Sequence, residues 1–233
     1  TSEYPVDMRL VGDRVFIFTQ EGPLTRITSR PLEGGDTVSY GRLDAGQETF
    51  SNFMHEWNLD VDRTGTWLAF GPWIPGTPSG YRSEGGLAAI NLIRLDALET
   101  SEPRGLSDQP FFPPLFHPDG HHLIAGWQDG NLRIYSLQDQ SGEAVRVLQQ
   151  PPGWIRALRF DATASWLASA SLGGFTALWN LEAPVSTNGT ILSRHPASGH
   201  FEASFDPSGE WLSTADLKGA TLWPTDDRYP RTL

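Results

Sequence analysis

The sequence predicts an all-β protein assembled from repeated antiparallel meanders. Three observations predict it. The first is the stretch LRFDATASWLASASLGGFTALWNL, residues 158–181. It reads as the end of one strand (Leu158–Phe160), a polar turn (Asp161–Ser165), a second strand (Trp166–Ser171), a Gly173-Gly174 turn and a third strand (Phe175–Leu181). The second is that this stretch has copies. VDRTGTWLAF (61–70), FHPDGHHLIAGWQDGNLRIYSL (116–137) and FDPSGEWLSTADLKGATLW (205–223) align on its first turn, and MRLVGDRVFIFTQEGPLTRITSRPL (8–32) is a weaker copy with a shortened turn. The third is negative. No long segment places apolar residues at 3.6-residue spacing, while 24 Gly and 18 Pro supply many turn residues.

A single three-strand meander cannot bury its apolar face alone, so the copies have to stack on one another. The turn-opening residues are Val61, Phe116, Phe160 and Phe205, with spacings 116 − 61 = 55, 160 − 116 = 44 and 205 − 160 = 45. A period near 45 with several strands per unit predicts a β-propeller. The longer first spacing predicts an insertion, visible as GPWIPGTPSGYRSEGG (71–86). The same alignment assigns five of the nine tryptophans. Trp67, Trp166 and Trp211 stand six residues after the opener, where the remaining copy has His122. Trp179 and Trp223 stand near the end of the third strand, where that copy has Tyr135. All five are expected in the core between sheets.

Taken in order, Val6–Val11, Arg14–Gln20 and Leu24–Leu32 read as strands, with Glu21-Gly22-Pro23 as a turn and Thr37–Leu43 as an outer strand. Trp57–Val61 and Trp67–Phe70 pair across Asp62–Thr66, and Leu87–Leu95 follows the insertion. Asp96–Gln109 is a polar connector with room for an outer strand. Phe111–Phe116, His122–Trp127, Leu132–Leu137 and Ala144–Leu148 make the next copy. Trp154–Phe160 opens the next inner strand, Thr190–Ser193 is its outer one, and Phe201–Phe205 begins the last copy. The copies lie near 6–45, 55–98, 111–149, 154–193 and 200–225, within one propeller domain or propeller segment. After Trp223 only PTDDRYPRTL remains for a fourth strand. Three outcomes stay open: completion by a neighbouring chain or residues outside this segment, closure by Val6–Leu10 pairing into the last sheet, or an open arc.

FHPDGHHLIAGWQDGNLRIYSL and FDATASWLASASLGGFTALWNL resemble the blades of WD-repeat proteins. The F-x-P-D-G turn, the small-residue second strand, the D-G turn and the apolar-Trp ending all match. The likeness covers 61–223 well and 8–32 weakly. It also departs from the family. The Asp that follows the family's Trp is Asn180 in one copy, Pro224 in another, and Ser136 after Tyr135 in a third. The Asp of the second turn survives as Asp129 but is replaced at Gly173 and Lys218. Gly199-His200 lies too close to Phe205 to serve as the family's Gly-His dipeptide. The polar network typical of such blades is therefore expected to be incomplete, and packing to carry more of the stability.

Composition narrows the function. A net charge of −11 and a single Lys, Lys218, argue against a binder of nucleic-acid backbone. No apolar run is long enough for a membrane helix, and no secretory signal is visible. A first residue of Thr reads as a processed, trimmed or excised chain. The absence of Cys rules out disulfides and thiolate metal sites and fits a reducing, cytoplasmic setting.

No catalytic constellation, metal site or cofactor is expected. His117, His121 and His122 crowd Asp119, but they belong to a tight turn and read as a solvated cap. No Gly-x-Ser-x-Gly elbow occurs. Asn188-Gly-Thr190 matches a glycosylation sequon and equally a turn. The glycine-rich 71–86 lacks the Gly-Lys-Ser/Thr end of a phosphate loop. Two places read as protein-binding. The insertion carries Trp73, Tyr81 and Arg82, the aromatic and Arg make-up of interaction hot spots; its aromatics folding back on the blade is the other reading. Four residues before each opener stand Trp57, Phe112, Arg156 and Phe201, a repeat position near the start of each inner strand. Stacked blades would set these in a collar at a channel mouth, with Trp154, Arg82 and Phe111 at its edge; ordinary inner-strand packing is the alternative.

The resemblance implies a non-catalytic platform that binds another protein, or another domain of the same longer chain, as a sensor or scaffold propeller. The runner-up is a propeller shaping substrate access in a hydrolase-type enzyme, whose repeats Leu68-Ala69-Phe70 resembles.

Overall fold

The structure is a computed structural model; it describes residues 4–21, 24–43, 59–71, 90–107, 111–127, 129–139, 141–149, 153, 155–171, 173–182, 189–194, 200–216 and 219–225. The expected all-β architecture is present. The first sheet contains β1 (Tyr4–Val11), β2 (Arg14–Glu21), β3 (Leu24–Pro31) and β4 (Val38–Leu43) in that order. The second contains β5 (Leu59–Val61), β6 (Trp67–Phe70), β7 (Ile90–Arg94) and β8 (Arg104–Ser107), again in order, with one 3-10 turn at Leu95–Ala97. The third is built from β9 (Phe111–Phe116), β10 (His122–Trp127), β11 (Leu132–Ser136) and β12 (Ala144–Leu148). The fourth holds β13 (Ile155–Phe160), β14 (Trp166–Ser171), β15 (Phe175–Asn180) and β16 (Thr190–Arg194). The fifth has three strands among the described residues, β17 (His200–Phe205), β18 (Trp211–Asp216) and β19 (Gly219–Pro224). β1 pairs with β2 as the first strand of its own sheet, from Tyr4↔Gln20 to Val11↔Arg14.

The chain divides into two compact units, residues 1–122 with 137–143, and residues 123–136 with 144–233. In the first unit, Phe16, Phe18 and Ile27 of the first sheet form one core with Leu59, Val61, Leu68, Phe70 and Ile93 of the second. In the second unit, Ala157, Ala168, Ala170 and Leu178 of the fourth sheet pack on Ala203 and Leu212 of the fifth, with Trp166 and Trp223 against them.

The tryptophan expectation needs correction. Trp179 is buried, at 2% exposure, but Trp67, Trp166 and Trp223 are only half-buried and Trp211 is 40% exposed. The position six residues after the opener lies at the end of a sheet, where a ring covers the margin of the core. Trp67 lies near the Arg94 guanidinium, 5.9 Å from its ring centroid.

The turns between first and second strands explain why the copies are superposable. In three of them the residue after the opener is an Asp with a hydroxyl residue two positions later: Asp62 and Thr64, Asp161 and Thr163, Asp206 and Ser208. Its carboxylate accepts the N–H of the residue five positions on, Trp67 at 2.6 Å, Trp166 at 2.8 Å and Trp211 at 2.8 Å. The other oxygen accepts the N–H of the hydroxyl residue, at 3.2 Å in each case. One side chain thus satisfies turn donors that strand pairing leaves over. Position four of each turn needs a left-handed backbone, supplied by Gly65 and Gly209 but in the fourth sheet by Ala164 at φ 60°. The third sheet solves the turn differently. His117 replaces the Asp, and Asp119 accepts the N–H groups of His121 at 2.7 Å and His122 at 3.1 Å.

The exit of the third strand is closed in every sheet by one backbone bond. Leu32 donates to Asp13, Leu95 to Thr66, Leu137 to His121, Leu181 to Ser165 and Thr225 to Glu210, all at 2.8–2.9 Å.

Candidate functional site

The repeat position four residues before the opener has a structural counterpart. In the fourth sheet the register of β13 on β14 runs Phe160↔Leu167 to Ala157↔Ala170, then jumps to Ile155↔Ser171. Arg156 is the extra residue, a β-bulge. In the fifth sheet the jump falls between Glu202↔Ala215 and His200↔Asp216, so Phe201 is the extra residue. The first sheet repeats it between Asp7↔Phe18 and Pro5↔Thr19, at Val6. A bulge leaves one residue outside the ladder and re-aims it, which is why bulges recur beside functional sites. Arg156 is half-buried. Phe112 lies on β9, and the side chains of Phe112 and Phe201 lie outside the described residues, as do Trp57 and Trp154 entirely.

The end of each sheet that carries the bulge is also where second and third strands turn. In the fourth sheet Ser171 Oγ accepts the Phe175 N–H at 3.2 Å. In the third, Asp129 accepts the Asn131 N–H at 2.9 Å and pairs with Arg133 at 2.9 Å. In the fifth, Asp216 accepts the Gly219 N–H at 3.0 Å. Each turn is braced by its own side chain, so this end has a rigid frame. The insertion bearing Trp73, Tyr81 and Arg82 falls outside the described residues. Its attachment points are described, however: β6 ends at Phe70, which pairs with Leu59 at the start of β5, and β7 begins at Ile90. Phe70 and Ile90, the strand ends on either side of residues 72–89, therefore lie at the bulge-equivalent end of the second sheet.

At the opposite end, His117 Nδ1 accepts the Asp119 N–H at 3.1 Å, and His122 Nδ1 lies 2.7 Å from Asp119 Oδ2. Burial pushes the Asp119 carboxyl up, but the His121 N–H and the His122 ring outweigh it and hold it below the usual value. This is the capping role expected of the histidine turn. The sequence reading placed these turns but missed the bracing role of Asp62, Asp161 and Asp206, although the Asp-x-Thr/Ser spacing carried the signal.

The sheets are also tied edge to edge. Arg104 on β8 donates to the Leu137 carbonyl at 3.2 Å and the Asp139 carbonyl at 2.7 Å. Arg146, at the matching position of β12, donates to the Leu181 carbonyl at 3.2 Å. In each case the outermost strand of one sheet grips the chain leaving the third strand of the next.

Meander sheets with one shared register, packed face to face and latched in sequence, are the blades of a β-propeller. The WD domain, G-beta repeat model matches residues 142–180. Over 63 residues the chain is 35% identical to Actin-interacting protein 1-2 of Arabidopsis thaliana, covering 27% of this chain and 10% of that protein. Over 117 residues it is 26% identical to Target of rapamycin complex subunit LST8 of Mus musculus, covering 48% of this chain and 35% of that protein. The chain thus spans well under two thirds of either relative. Blade architecture and matches together make the chain similar to the WD-repeat propellers. The matched unit runs from just before β12 to the end of β15, one outer strand plus the three inner strands of the next sheet. The matched repeat is therefore offset from the sheet in space and spans the third and fourth sheets.

Proposed function

We propose that the chain is a non-catalytic protein-interaction platform, a regulatory or scaffold propeller segment of a larger cytoplasmic protein. Its partner is another protein, or another domain of the same longer chain, and it engages the end of the sheets that carries the bulge. The observation that carries this reading is the recurrence of that bulge at Val6, Arg156 and Phe201. A displaced residue at one place in the first, fourth and fifth sheets suits an end that presents side chains to a partner. The strand ends that flank the segment with Trp73, Tyr81 and Arg82, Phe70 and Ile90, lie at the same end of their sheet. The names of both relatives describe proteins that interact or assemble, which supports the same class. The chain's negative charge favours a protein partner over nucleic acid.

Site-specific photo-crosslinking tests the reading. A crosslinker at position 156 or 201 is expected to capture the partner, while one at Thr64 or Ser208, in the turns of the opposite end, is not. Arg156→Ala and Trp73→Ala are expected to weaken the complex about tenfold, as loss of one hot-spot residue does, with the thermal melt unchanged. Capture only from positions 64 and 208 would assign the other face.

A further inference from the structure

The seam between the first and second sheets holds a buried charge where a matching seam holds none. Asp7 pairs with Phe18 on β2, and Ala157 pairs with Ala170 on β14, so the two residues stand at one place in their sheets. The alanine closes an apolar seam, at 1% exposure. The aspartate puts a carboxylate into the same setting, with its side chain 10% exposed. Its two oxygens are served unequally. Oδ1 accepts the Met8 N–H at 2.6 Å and an Arg9 guanidinium N–H at 2.6 Å. Oδ2 is buried and has no hydrogen-bond partner among the described residues. Burying a charge without a donor is costly, and a carboxyl so placed takes up a proton more readily.

Arg9 shows what the charge does. Its other guanidinium nitrogen donates to the Leu59 carbonyl at 3.3 Å, crossing from β1 to β5. Registers Arg9↔Phe16 and Arg159↔Ala168 put Arg159 at the same place in the fourth sheet. Arg159 also crosses to the next sheet, but onto the exposed carboxylate of Glu202, at 2.9 Å. In that seam the anion stands on the far sheet. In the first seam it stands on the near sheet, buried, and the far sheet offers a neutral carbonyl. A charge-assisted bond is roughly twice as strong as a neutral one, so Asp7 fixes the guanidinium that reaches Leu59.

β2 and β5 pack on β1. β2 turns Phe16 and Phe18 into the seam, and β5 turns Leu59 and Val61. The Asp60 carboxylate serves the third sheet instead, accepting the Phe116 N–H at 2.8 Å. Among the described residues, Arg9 is thus the one charged group facing Asp7. Burial raises the Asp7 carboxyl above its ordinary value of 3.8, against the opposing pull of Arg9 and the Met8 N–H.

We propose that Asp7 and Arg9 form a proton-operated clamp across the first seam. With Asp7 ionised, Arg9 is held against Leu59. A proton bound at Oδ2 displaces no hydrogen bond, since that oxygen makes none. It leaves a neutral carboxyl, and the guanidinium is released to solvent. The cost of the buried charge is full above the folded value and vanishes as pH falls from there to 3.8. Asp7 follows the bulge residue Val6, so release loosens that end of the seam. The clamp works whether or not a partner engages that end.

Side-chain carboxyl NMR of the whole chain, followed from neutral to acid pH, reads the titration. Amide exchange corrected for intrinsic rates reads the clamp. Asp7 is expected to titrate above 3.8. Amides of residues 7–9 and 59–61 are expected to exchange about tenfold faster once it is protonated, the effect of losing one bond to a charged group. Asp7→Asn fixes the neutral form and is expected to give the fast exchange at every pH. Arg9→Gln is expected to give the same fast exchange while moving the Asp7 titration further up, because the buried charge loses its counter-ion. Arg159→Gln is expected to leave exchange at 59–61 and its pH dependence unchanged. An Asp7 carboxyl that titrates at or below 3.8 overturns the proposal. So does exchange at 7–9 and 59–61 that follows neither the Asp7 titration nor Asp7→Asn. Should Asp7→Asn fail to fold, the unsubstituted chain's titration and exchange decide alone.

Discussion

The cores of the two units fill the same gap with opposite means. At matched positions of the second strand, the first sheet carries Phe16 and Phe18 while the fourth carries Ala168 and Ala170; all four are buried to 1% or less. The facing first strands differ in the same direction, Leu59 against Ala203. The margin compensates. Trp166 packs on the alanine core, and at its place in the first sheet stands Arg14, which donates to Ser29 Oγ at 3.1 Å. One backbone template thus tolerates a thick aromatic seam or a thin alanine seam, provided that large and small residues are redistributed between centre and rim. Interiors are close-packed, so total volume is conserved more strictly than residue type at any one position.

That comparison can be broken from either side. Phe16→Ala removes one of the three phenylalanines of the thick seam and is expected to cost about 3–5 kcal/mol by cavity formation. Urea unfolding followed by Trp fluorescence measures it; a loss below about 1 kcal/mol means that the neighbours collapse into the space. Ala168→Leu tests the thin seam from the other direction. Overpacking between Ala157 and Ala203 is expected to cost about 1–3 kcal/mol, whereas a neutral result shows slack between the fourth and fifth sheets.

The turns sharpen the comparison at smaller scale. Asp161→Ala leaves the Trp166 and Thr163 N–H groups without their acceptor and is expected to cost about 1–3 kcal/mol. Ala164→Gly relieves the left-handed strain that Gly65 and Gly209 avoid, a gain of about 0.5–1 kcal/mol seen as a higher urea midpoint. The matching Asp206 gives a pH signature. The Ser208 hydroxyl and the Trp211 N–H hold its carboxyl below 3.8, so the folded state binds fewer protons there than the unfolded state. Its contribution is full above pH 3.8 and is lost as pH falls below that value toward the folded one. Asp206→Asn is accordingly expected to flatten the acid limb of a stability–pH curve. The smallest effect belongs to Trp211→Ala, about 0.5 kcal/mol or less, because an exposed side chain loses little burial.

Much of this was legible in the residues. The period near 45, the Phe-Asp openers and the Gly turns fixed strand positions to within a few residues, because alternation and turn chemistry are local properties. The repeat position four residues before each opener was found by counting, and at that position Arg156 and Phe201 are bulge residues; a bulge is a register event between two strands, so a single strand's sequence cannot reveal it. Burial of the tryptophans was overestimated for a related reason. Repeat position gives direction on the sheet, but exposure depends on what lies opposite: Trp166 packs on the core that the fourth and fifth sheets share, whereas Trp211 is 40% exposed.

By itself the sequence determined the unit: three or four short strands, an Asp- or His-braced turn, and an apolar face too small to stand alone. Tertiary structure decided how those faces were filled and where registers slipped. The physical reason is that hydrogen-bonded turns close within a few residues of one another, whereas volume and coverage are settled only when two sheets meet.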